Sequence, residues 1–122
     1  MGRYSVGLVG ESKYQPAIKR LRSGDLVQLQ PEPGNKHDER AIRAVRPAGD
    51  PVGYLERDGW LTRCILDENG TVATRVKDVV GGGRGRSLGV VLEVLTAKDA
   101  TEELERRQAE GPISRLVKKL FG

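Results

Sequence analysis

A short polar stretch of this sequence carries four side chains that could bind a phosphate or a sugar hydroxyl group. It spans residues 32–40 and presents amide, ammonium, imidazole and carboxylate groups on Asn35, Lys36, His37 and Asp38. The ammonium group can donate hydrogen bonds to an anion, whereas an ionised carboxylate can only accept them. Polar loops held between regular elements are common places for functional groups. We therefore expect these four residues to form part of a binding site.

The same stretch also contains three carboxylates, which could in principle hold a divalent metal for phosphodiester hydrolysis. They belong to Glu32, Asp38 and Glu39. Asp38 and Glu39 are adjacent, so their side chains diverge on an extended backbone. No lysine-bearing nuclease motif follows, and Cys64 lies on an apolar stripe, which argues against a nucleophile–base pair with His37. The sequence therefore predicts no enzyme, no catalytic residue, no metal and no cofactor.

Strands must flank this polar stretch to hold it in place. Residues 25–30 alternate apolar side chains with Gln28 and Gln30, as a half-buried strand requires. Pro31 is expected to stop the ladder because proline has no N–H group to donate. Similar patterns predict strands at residues 4–9, 41–46, 52–55, 71–80 and 88–95, with a bulge at Gly89. Short strands separated by turns favour a mainly β fold, an antiparallel sheet that closes into a small barrel.

Short helices are predicted between and after these strands, at residues 16–22, 58–66 and 99–109. Trp60 is the only tryptophan, and it shares an apolar stripe with Cys64. We interpret Trp60 as a core anchor rather than a base-stacking platform, and Cys64 as a small buried hydrophobic residue. Asp99 and Glu102 resemble a capping box at the start of the last of these helices.

Composition indicates a single small domain with a highly charged surface. The chain has 122 residues, of which 37% are hydrophobic and 31% charged. No apolar run approaches the roughly 20 residues that span a bilayer, and no signal-peptide pattern is present, so we expect a cytoplasmic protein without a membrane partner. The single cysteine excludes an internal disulfide. A net charge of +4 permits an anionic partner.

Three segments together resemble the HIRAN domain, which is found in fork-remodelling DNA translocases and as small bacterial proteins. Residues 6–15 read V-G-L-V-G-E-S-K-Y-Q, residues 31–45 read P-E-P-G-N-K-H-D-E-R-A-I-R-A-V, and residues 52–57 read V-G-Y-L-E-R. The resemblance covers about residues 4–95. It implies an OB-like antiparallel β-barrel with short helices over residues 1–97, followed by an α-helical tail over residues 98–122.

The resemblance also implies a function, the recognition of single-stranded DNA or a free 3′ DNA end at damaged DNA or stalled forks. In such a family Asp38 stands where an aspartate accepts a hydrogen bond from the terminal 3′-hydroxyl group. Asn35 stands where the loop is shaped or the DNA backbone is contacted, and Arg57 takes the place of a basic residue that meets phosphate. Asn35 and Asp38 could instead only build Asx turns. If the domain binds DNA, we expect it to associate with the nucleoid.

The sequence departs from the family where aromatic residues clamp the terminal bases. Those positions are Lys13 and His37 here, with Tyr14 adjacent to the first, and Ser12 replaces an arginine that is common in the opening turn. The changes remove stacking but keep positive charge, so we expect weaker and more salt-dependent binding. Tyr54 lies in a predicted strand, and we interpret it as structural.

Two further pairs of basic residues could make secondary phosphate contacts. Arg75 and Lys77 share one face of a predicted strand, which is otherwise a solvated face. Arg84 and Arg86 lie in a glycine-rich loop at residues 81–87, which either approaches a phosphate or simply connects a hairpin. This loop lacks the Gly-Lys-Ser/Thr ending of a P-loop.

The end of the chain suggests a different class of function. A helix that begins at Pro112 would place its apolar residues on one face, at Ile113, Leu116, Val117, Leu120 and Phe121. This face could dock on the domain itself. Alternatively, it could bind a protein partner or form a homodimer, which would make the chain an interaction module without specificity for DNA ends.

Overall fold

The computed structural model describes residues 2–83 and 85–110 of the chain. Its strands are β1 (Arg3–Gly7), β2 (Gln28–Pro31), β3 (Ile42–Val45), β4 (Pro51–Tyr54), β5 (Val72–Gly81) and β6 (Leu88–Thr96). Its helices are a 3₁₀ helix (Glu11–Tyr14), α1 (Gln15–Ile18), α2 (Trp60–Leu66) and α3 (Ala97–Glu110). No helix in these described ranges is both long and apolar enough to cross a membrane.

The strands form two antiparallel three-stranded sheets, ordered β1-β6-β5 and β2-β3-β4. The sheets meet at both edges through isolated bridges, which pair Val9 with Tyr54 and Leu26 with Arg75. Val9 and Tyr54 exchange two backbone hydrogen bonds of 2.8 and 2.9 Å. The expected mainly β, antiparallel fold is therefore confirmed, and single bridges rather than continuous ladders join its two sheets.

The hydrophobic core lies between the two sheets and is sealed by the short helices. The alternation predicted for the last strand is confirmed, because Val90, Leu92 and Val94 of β6 are all buried. Ile18 in α1 and Leu21 just beyond it are also buried, although α1 ends earlier than the predicted helix. The main core cluster comprises Leu8, Ile18, Leu21, Val27, Ile42, Ala44, Val52, Leu55, Leu61, Val76, Val90, Leu92 and Val94.

Pro31 does not stop the ladder, contrary to the prediction. It is the last residue of β2 and lies opposite Ile42 of β3. Pairing with β3 continues on both sides of Pro31. Gln30 lies opposite Arg43, and the N–H group of Glu32 donates a hydrogen bond of 2.8 Å to the carbonyl of Ala41. In an antiparallel pair the hydrogen-bonded positions alternate, so the nitrogen of Pro31 faces away from β3. Because β2 lies at the edge of its sheet, the missing donor costs nothing there.

The interpretation of Trp60 as a core anchor is wrong. Its side chain is 42% exposed and packs against Tyr4, with the ring centroids 4.8 Å apart. The reason is the start of α2, because Trp60 is its first residue and the next two, Leu61 and Thr62, turn into the core. Cys64 is only partly buried.

The capping box at Asp99 is also wrong, because α3 already begins at Ala97. The carboxylate of Asp99 instead accepts a hydrogen bond of 3.1 Å from the N–H group of Gly2. Ala100 is fully buried against Ala73 and Leu95, so α3 packs on the outer face of the β1-β6-β5 sheet. The second tail helix, predicted from Pro112, lies outside the described residues.

Candidate nucleic-acid interface

One cavity collects nearly all of the predicted primary binding residues. It has a volume of about 320 Å³ and lies between the 3₁₀ helix, the loop of residues 32–40 and the end of β4. Six predicted residues line it, namely Lys13, Tyr14, Asn35, His37, Asp38 and Arg57. Its remaining lining residues are Val9, Gly10, Ala41, Tyr54 and Leu55. Lys36 lines an adjoining surface depression that shares His37, Asp38 and Arg57 with the cavity.

The 3₁₀ helix that carries Lys13 and Tyr14 is held in place by two side chains that sequence analysis missed. The carboxylate of Glu11 accepts a hydrogen bond of 3.0 Å from the N–H group of Val90. The amide of Gln15 donates to the carbonyl of Leu88 over 3.0 Å and accepts from its N–H group over 2.7 Å. Both residues therefore fix one wall of the cavity to the start of β6.

Gly89 has a role in this attachment and is not a bulge. It pairs in register with Val80, and the register shift in this hairpin lies between Val76 and Asp78 of β5. A Cβ atom at Gly89 would lie 2.9 Å from the Glu11 carboxylate oxygen that accepts the Val90 hydrogen bond. The absence of a side chain therefore lets Glu11 reach the backbone of β6.

The loop of residues 32–40 is shaped by its own side chains. The side-chain oxygen of Asn35 accepts hydrogen bonds from the N–H groups of His37 and Asp38, over 2.8 and 3.1 Å. One carboxylate oxygen of Asp38 accepts from the N–H group of Arg40 over 2.9 Å. The other oxygen lies 4.0 Å from Nε of Arg57. Asp38 thus stabilises the loop with one oxygen and presents the other to Arg57 at the cavity.

Glu32 supports both the loop and the cavity wall from behind. One of its oxygens accepts a hydrogen bond of 3.3 Å from the side-chain amide of Asn35, and the other lies 3.6 Å from Nε of Arg43. Burial raises the pKa of Tyr54 well above its usual range, and hydrogen bonding with Glu32 and Tyr14 raises this pKa further. The Tyr54 phenol therefore stays neutral and keeps its proton as a hydrogen-bond donor.

Two half-buried tyrosine rings line the cavity. The rings of Tyr14 and Tyr54 lie 6.4 Å apart between centroids and are tilted by 43°. His37, at the rim, is exposed. The interpretation of Tyr54 as structural is incomplete, because Tyr54 also lines the cavity. The sequence signal that could have identified Tyr54 as a cavity residue is its position directly after Gly53 in the motif V-G-Y-L.

Of the four secondary basic residues, the three that the structure describes, Arg75, Lys77 and Arg86, do not line this cavity. Arg75 lies 3.0 Å from a carboxylate oxygen of Glu103 in α3, and Nζ of Lys77 donates to the hydroxyl group of Ser5 over 2.8 Å. Arg86 is exposed in the loop that leads into β6, close to the attachment of the 3₁₀ helix. Arg84 lies outside the described residues. Within the described ranges, no group of three or more His, Cys, Asp or Glu side chains could hold a metal ion.

One family model matches most of the chain, and two solved structures share its fold. The family model of the HIRAN domain matches residues 1–93. The crystal structure of the HIRAN domain of human HLTF superposes on this chain with a TM-score of 0.56 and a sequence identity of 19%. The match covers 84% of this chain and 82% of that chain. The crystal structure of a protein from Lactobacillus plantarum is 23% identical and has a TM-score of 0.52, with 77% of this chain and 99% of that chain covered. No curated protein matches the sequence.

Proposed function

The chain belongs to the HIRAN domain family, and we propose that its cavity binds the free 3′ end of single-stranded DNA. The family has an OB-like fold, which confirms the predicted fold class, and its members are generally DNA-binding modules rather than catalytic domains. Membership therefore supports nucleic-acid binding. The observation that carries the finer proposal is the presence of Asp38, Arg57 and two tyrosine rings around one cavity.

The cavity offers a complementary group for each part of a terminal nucleotide. The rings of Tyr14 and Tyr54 offer apolar surface to a base, and stacking is worth about 1–3 kcal/mol per base. Arg57 has a side chain that is 78% exposed, and its guanidinium group can reach a phosphate in solvent. The cavity volume of about 320 Å³ falls at the small end of ordinary ligand pockets, which suits one nucleotide.

Asp38 gives the proposed site its preference for an end. A terminal 3′-hydroxyl group can donate a hydrogen bond to the carboxylate oxygen that faces Arg57, and an internal nucleotide has no such group. A 3′-phosphate would instead bring negative charge against the carboxylate. A hydrogen bond to a charged acceptor is worth about 1.5–3 kcal/mol, which corresponds to roughly a ten- to hundredfold preference. Free 3′ ends of this kind occur at damaged DNA and stalled forks, and we propose these as the setting.

The positive charge around the cavity should make binding depend on salt. Lys13, Lys36 and Arg57 lie along the rim of the cavity and its adjoining depression. Each phosphate that such a group neutralises releases a condensed counterion, so affinity falls as salt rises. An affinity that stays flat between low and moderate salt would contradict phosphate binding at this rim.

The decisive experiment compares strands that differ only at their 3′ ends. Fluorescence anisotropy is measured with single-stranded oligonucleotides whose 3′ end is free, phosphorylated or hidden in a hairpin. We expect the free end to bind about ten- to a hundredfold more tightly than the phosphorylated end. Asp38→Asn should remove most of this difference and keep the fold, because an asparagine oxygen can still accept the hydrogen bond from the N–H group of Arg40.

The neighbouring carboxylate provides a matched control. Glu39 is exposed and lines only the adjoining depression, not the main cavity, so Glu39→Gln removes the same charge from the same loop. We expect it to leave the preference between the two ends unchanged. If the wild-type protein binds free and phosphorylated ends equally well, end recognition is wrong and Asp38 only shapes the loop.

A further inference from the structure

Tyr4 and Trp60 form an aromatic pair on the surface that the proposed end-binding site does not use. Their ring centroids lie 4.8 Å apart, and the rings are tilted by 56°. The two side chains are 45% and 42% exposed, respectively. Tyr4 is in β1 and Trp60 is the first residue of α2, so two regular elements hold the pair. Two adjacent exposed rings, unlike single scattered ones, offer a contiguous apolar surface to a partner.

The aromatic pair lies close to the end-binding cavity. Leu55 lines that cavity on one side, and on the other it lines a small hollow together with Val6 and Trp60. Three peptide units separate Arg57 from Trp60, so the Cα atoms of these two residues are at most about 11 Å apart. Successive stacked nucleotides of one strand are about 3.4 Å apart along its axis, so a distance of about 11 Å corresponds to about three nucleotides. A strand whose end occupies the cavity is therefore long enough to reach the pair within a few nucleotides.

We propose that Tyr4 and Trp60 form a second base-binding site, which stacks the nucleotides that precede a bound 3′ end. The proposal rests on the proposed function of the cavity. Aromatic side chains stack on any base because every base has a π face, so this site would not select a sequence. It would lengthen the DNA footprint from one terminal nucleotide to several.

The charges around the pair favour stacking over phosphate contact. Asp58 lies 3.5 Å from Arg40, and Arg63 donates a hydrogen bond of 2.8 Å to the carbonyl of Asp58. With Glu56 also exposed nearby, the surroundings are mixed in sign. A patch of two aromatic side chains bordered by charges is also small beside the roughly 800 Å² that each partner buries in an ordinary protein interface. A stacked base covers such a patch.

The only tryptophan of the chain makes this inference directly measurable. Wild-type protein is titrated with 5′-labelled oligonucleotides of two, six and ten nucleotides, all with free 3′ ends, while label anisotropy and tryptophan emission are recorded. We expect the two longer strands to quench Trp60. The dinucleotide should bind the cavity with little change in emission.

Substitution of the pair should weaken only the longer strands. Trp60→Leu keeps an apolar side chain against β1 but removes the ring, and it should lower affinity for the ten-nucleotide strand about five- to a hundredfold. Affinity for the dinucleotide and the slope of log affinity against log salt should stay unchanged, because no phosphate contact is lost. Leu104→Ala is the matched control, since Leu104 is a similarly exposed apolar residue on α3.

The two proposals fail in distinguishable ways. If long strands bind by anisotropy, but the emission of Trp60 is unchanged and Trp60→Leu binds like the wild type, the second site is overturned and the end-binding site stands. If the dinucleotide quenches emission as strongly as the longer strands, Trp60 belongs to the end site and the separate site is also overturned. If no strand binds at all, both proposals fail. The wild-type emission decides the matter even if Trp60→Leu does not fold.

Discussion

Arg57 at the cavity and Arg75 on the face that α3 covers differ in their exposure and in the number of carboxylates close to them. At the cavity, the side chain of Arg57 is 78% exposed, and its Nε atom lies 4.0 Å from Asp38. Under α3, Arg75 lies 3.0 Å from Glu103 and 3.9 Å from Glu93. An arginine that is already paired with two carboxylates has little left to offer a phosphate. Availability, rather than the number of basic residues on a strand, therefore decides where an anion can bind.

The backbones of the two faces also differ. The cavity is built from irregular segments that side chains such as Glu11, Asn35 and Asp38 tie to backbone groups. The face under α3 consists of the long β5–β6 hairpin, covered by a helix whose Ala100 is fully buried. We therefore expect the cavity to be sensitive to single backbone positions and the α3-covered face to depend on side-chain partners.

The largest effect should come from a backbone position at the cavity. Gly53 has a φ of +155°, and a Cβ atom there would lie 3.1 Å from the carbonyl oxygen of Val9. Gly53→Ala should lower the free energy of unfolding by about 1–3 kcal/mol, because it pushes β4 away from the chain beside it. It should also weaken DNA binding, since Val9 and the following Tyr54 both line the cavity. Urea unfolding and anisotropy measure the two effects.

Gly7→Ala is the control for this substitution. Gly7 lies in β1, and a Cβ atom there would meet open space. We expect a change in unfolding free energy within about 0.5 kcal/mol. Equal losses from the two substitutions would show that β propensity, and not the close approach at Gly53, sets the cost.

The next effect separates the two arginines by their action on DNA. Arg57→Ala should lower affinity for single-stranded DNA about tenfold and reduce the salt slope by about one, because one phosphate contact is lost. It should weaken free and phosphorylated 3′ ends alike, since a phosphate contact carries no information about the end. Arg75→Ala should leave both affinity and slope unchanged. Titrations at several salt concentrations measure both quantities.

The opposite result would reverse the comparison between the faces. If Arg75→Ala lowers the salt slope while Arg57→Ala does not, DNA runs across the face that bears α3. The contacts of Arg75 with Glu93 and Glu103 would then have to open on binding.

The sequence was sufficient to predict the elements whose partners are close by or follow a strict period. The alternation of Val90, Leu92 and Val94 identified a strand and its buried face. The spacing of Asn35 and Asp38 identified the loop, because Asn35 bonds to backbone groups only two and three residues away. Local chemistry of this kind is visible in the sequence.

The features that could not be predicted depend on distant partners or on the phase of a helix. Glu11 and Gln15 bond to backbone groups 79 and 73 residues away, and nothing in their own surroundings indicates that. The exposure of Trp60 depends on the residue at which α2 starts. The pairing of Arg75 depends on where α3 docks, which periodicity alone does not specify.

The smallest effect concerns the ion pairs under α3. The side chain of Glu103 is only 13% exposed and lies within 3.0–3.2 Å of Arg75, Arg106 and Arg107. Burial acts to raise the pKa of Glu103, but the hydrogen bond from Arg106 and the charges of Arg75 and Arg107 hold it below its usual value. Glu103→Gln should therefore cost about 1 kcal/mol at neutral pH and lower the melting temperature by about 3–5 °C. DNA affinity should not change.

The pH dependence of this effect tests its electrostatic origin. Because the folded pKa of Glu103 lies below the unfolded one, its contribution is fully present above the unfolded value of about 4.3 and is lost as pH falls through the folded pKa. The difference in melting temperature between wild type and Glu103→Gln should therefore close in acid. Glu102→Gln is the matched control, since its carboxylate is 51% exposed and lies 3.9 Å from Lys98, so it should leave the melting temperature unchanged. If the difference in melting temperature persists in acid, the shape of Glu103 rather than its charge fits α3 to the sheet. Arg75 and Arg57 would then differ in burial but not in the strength of their ion pairs.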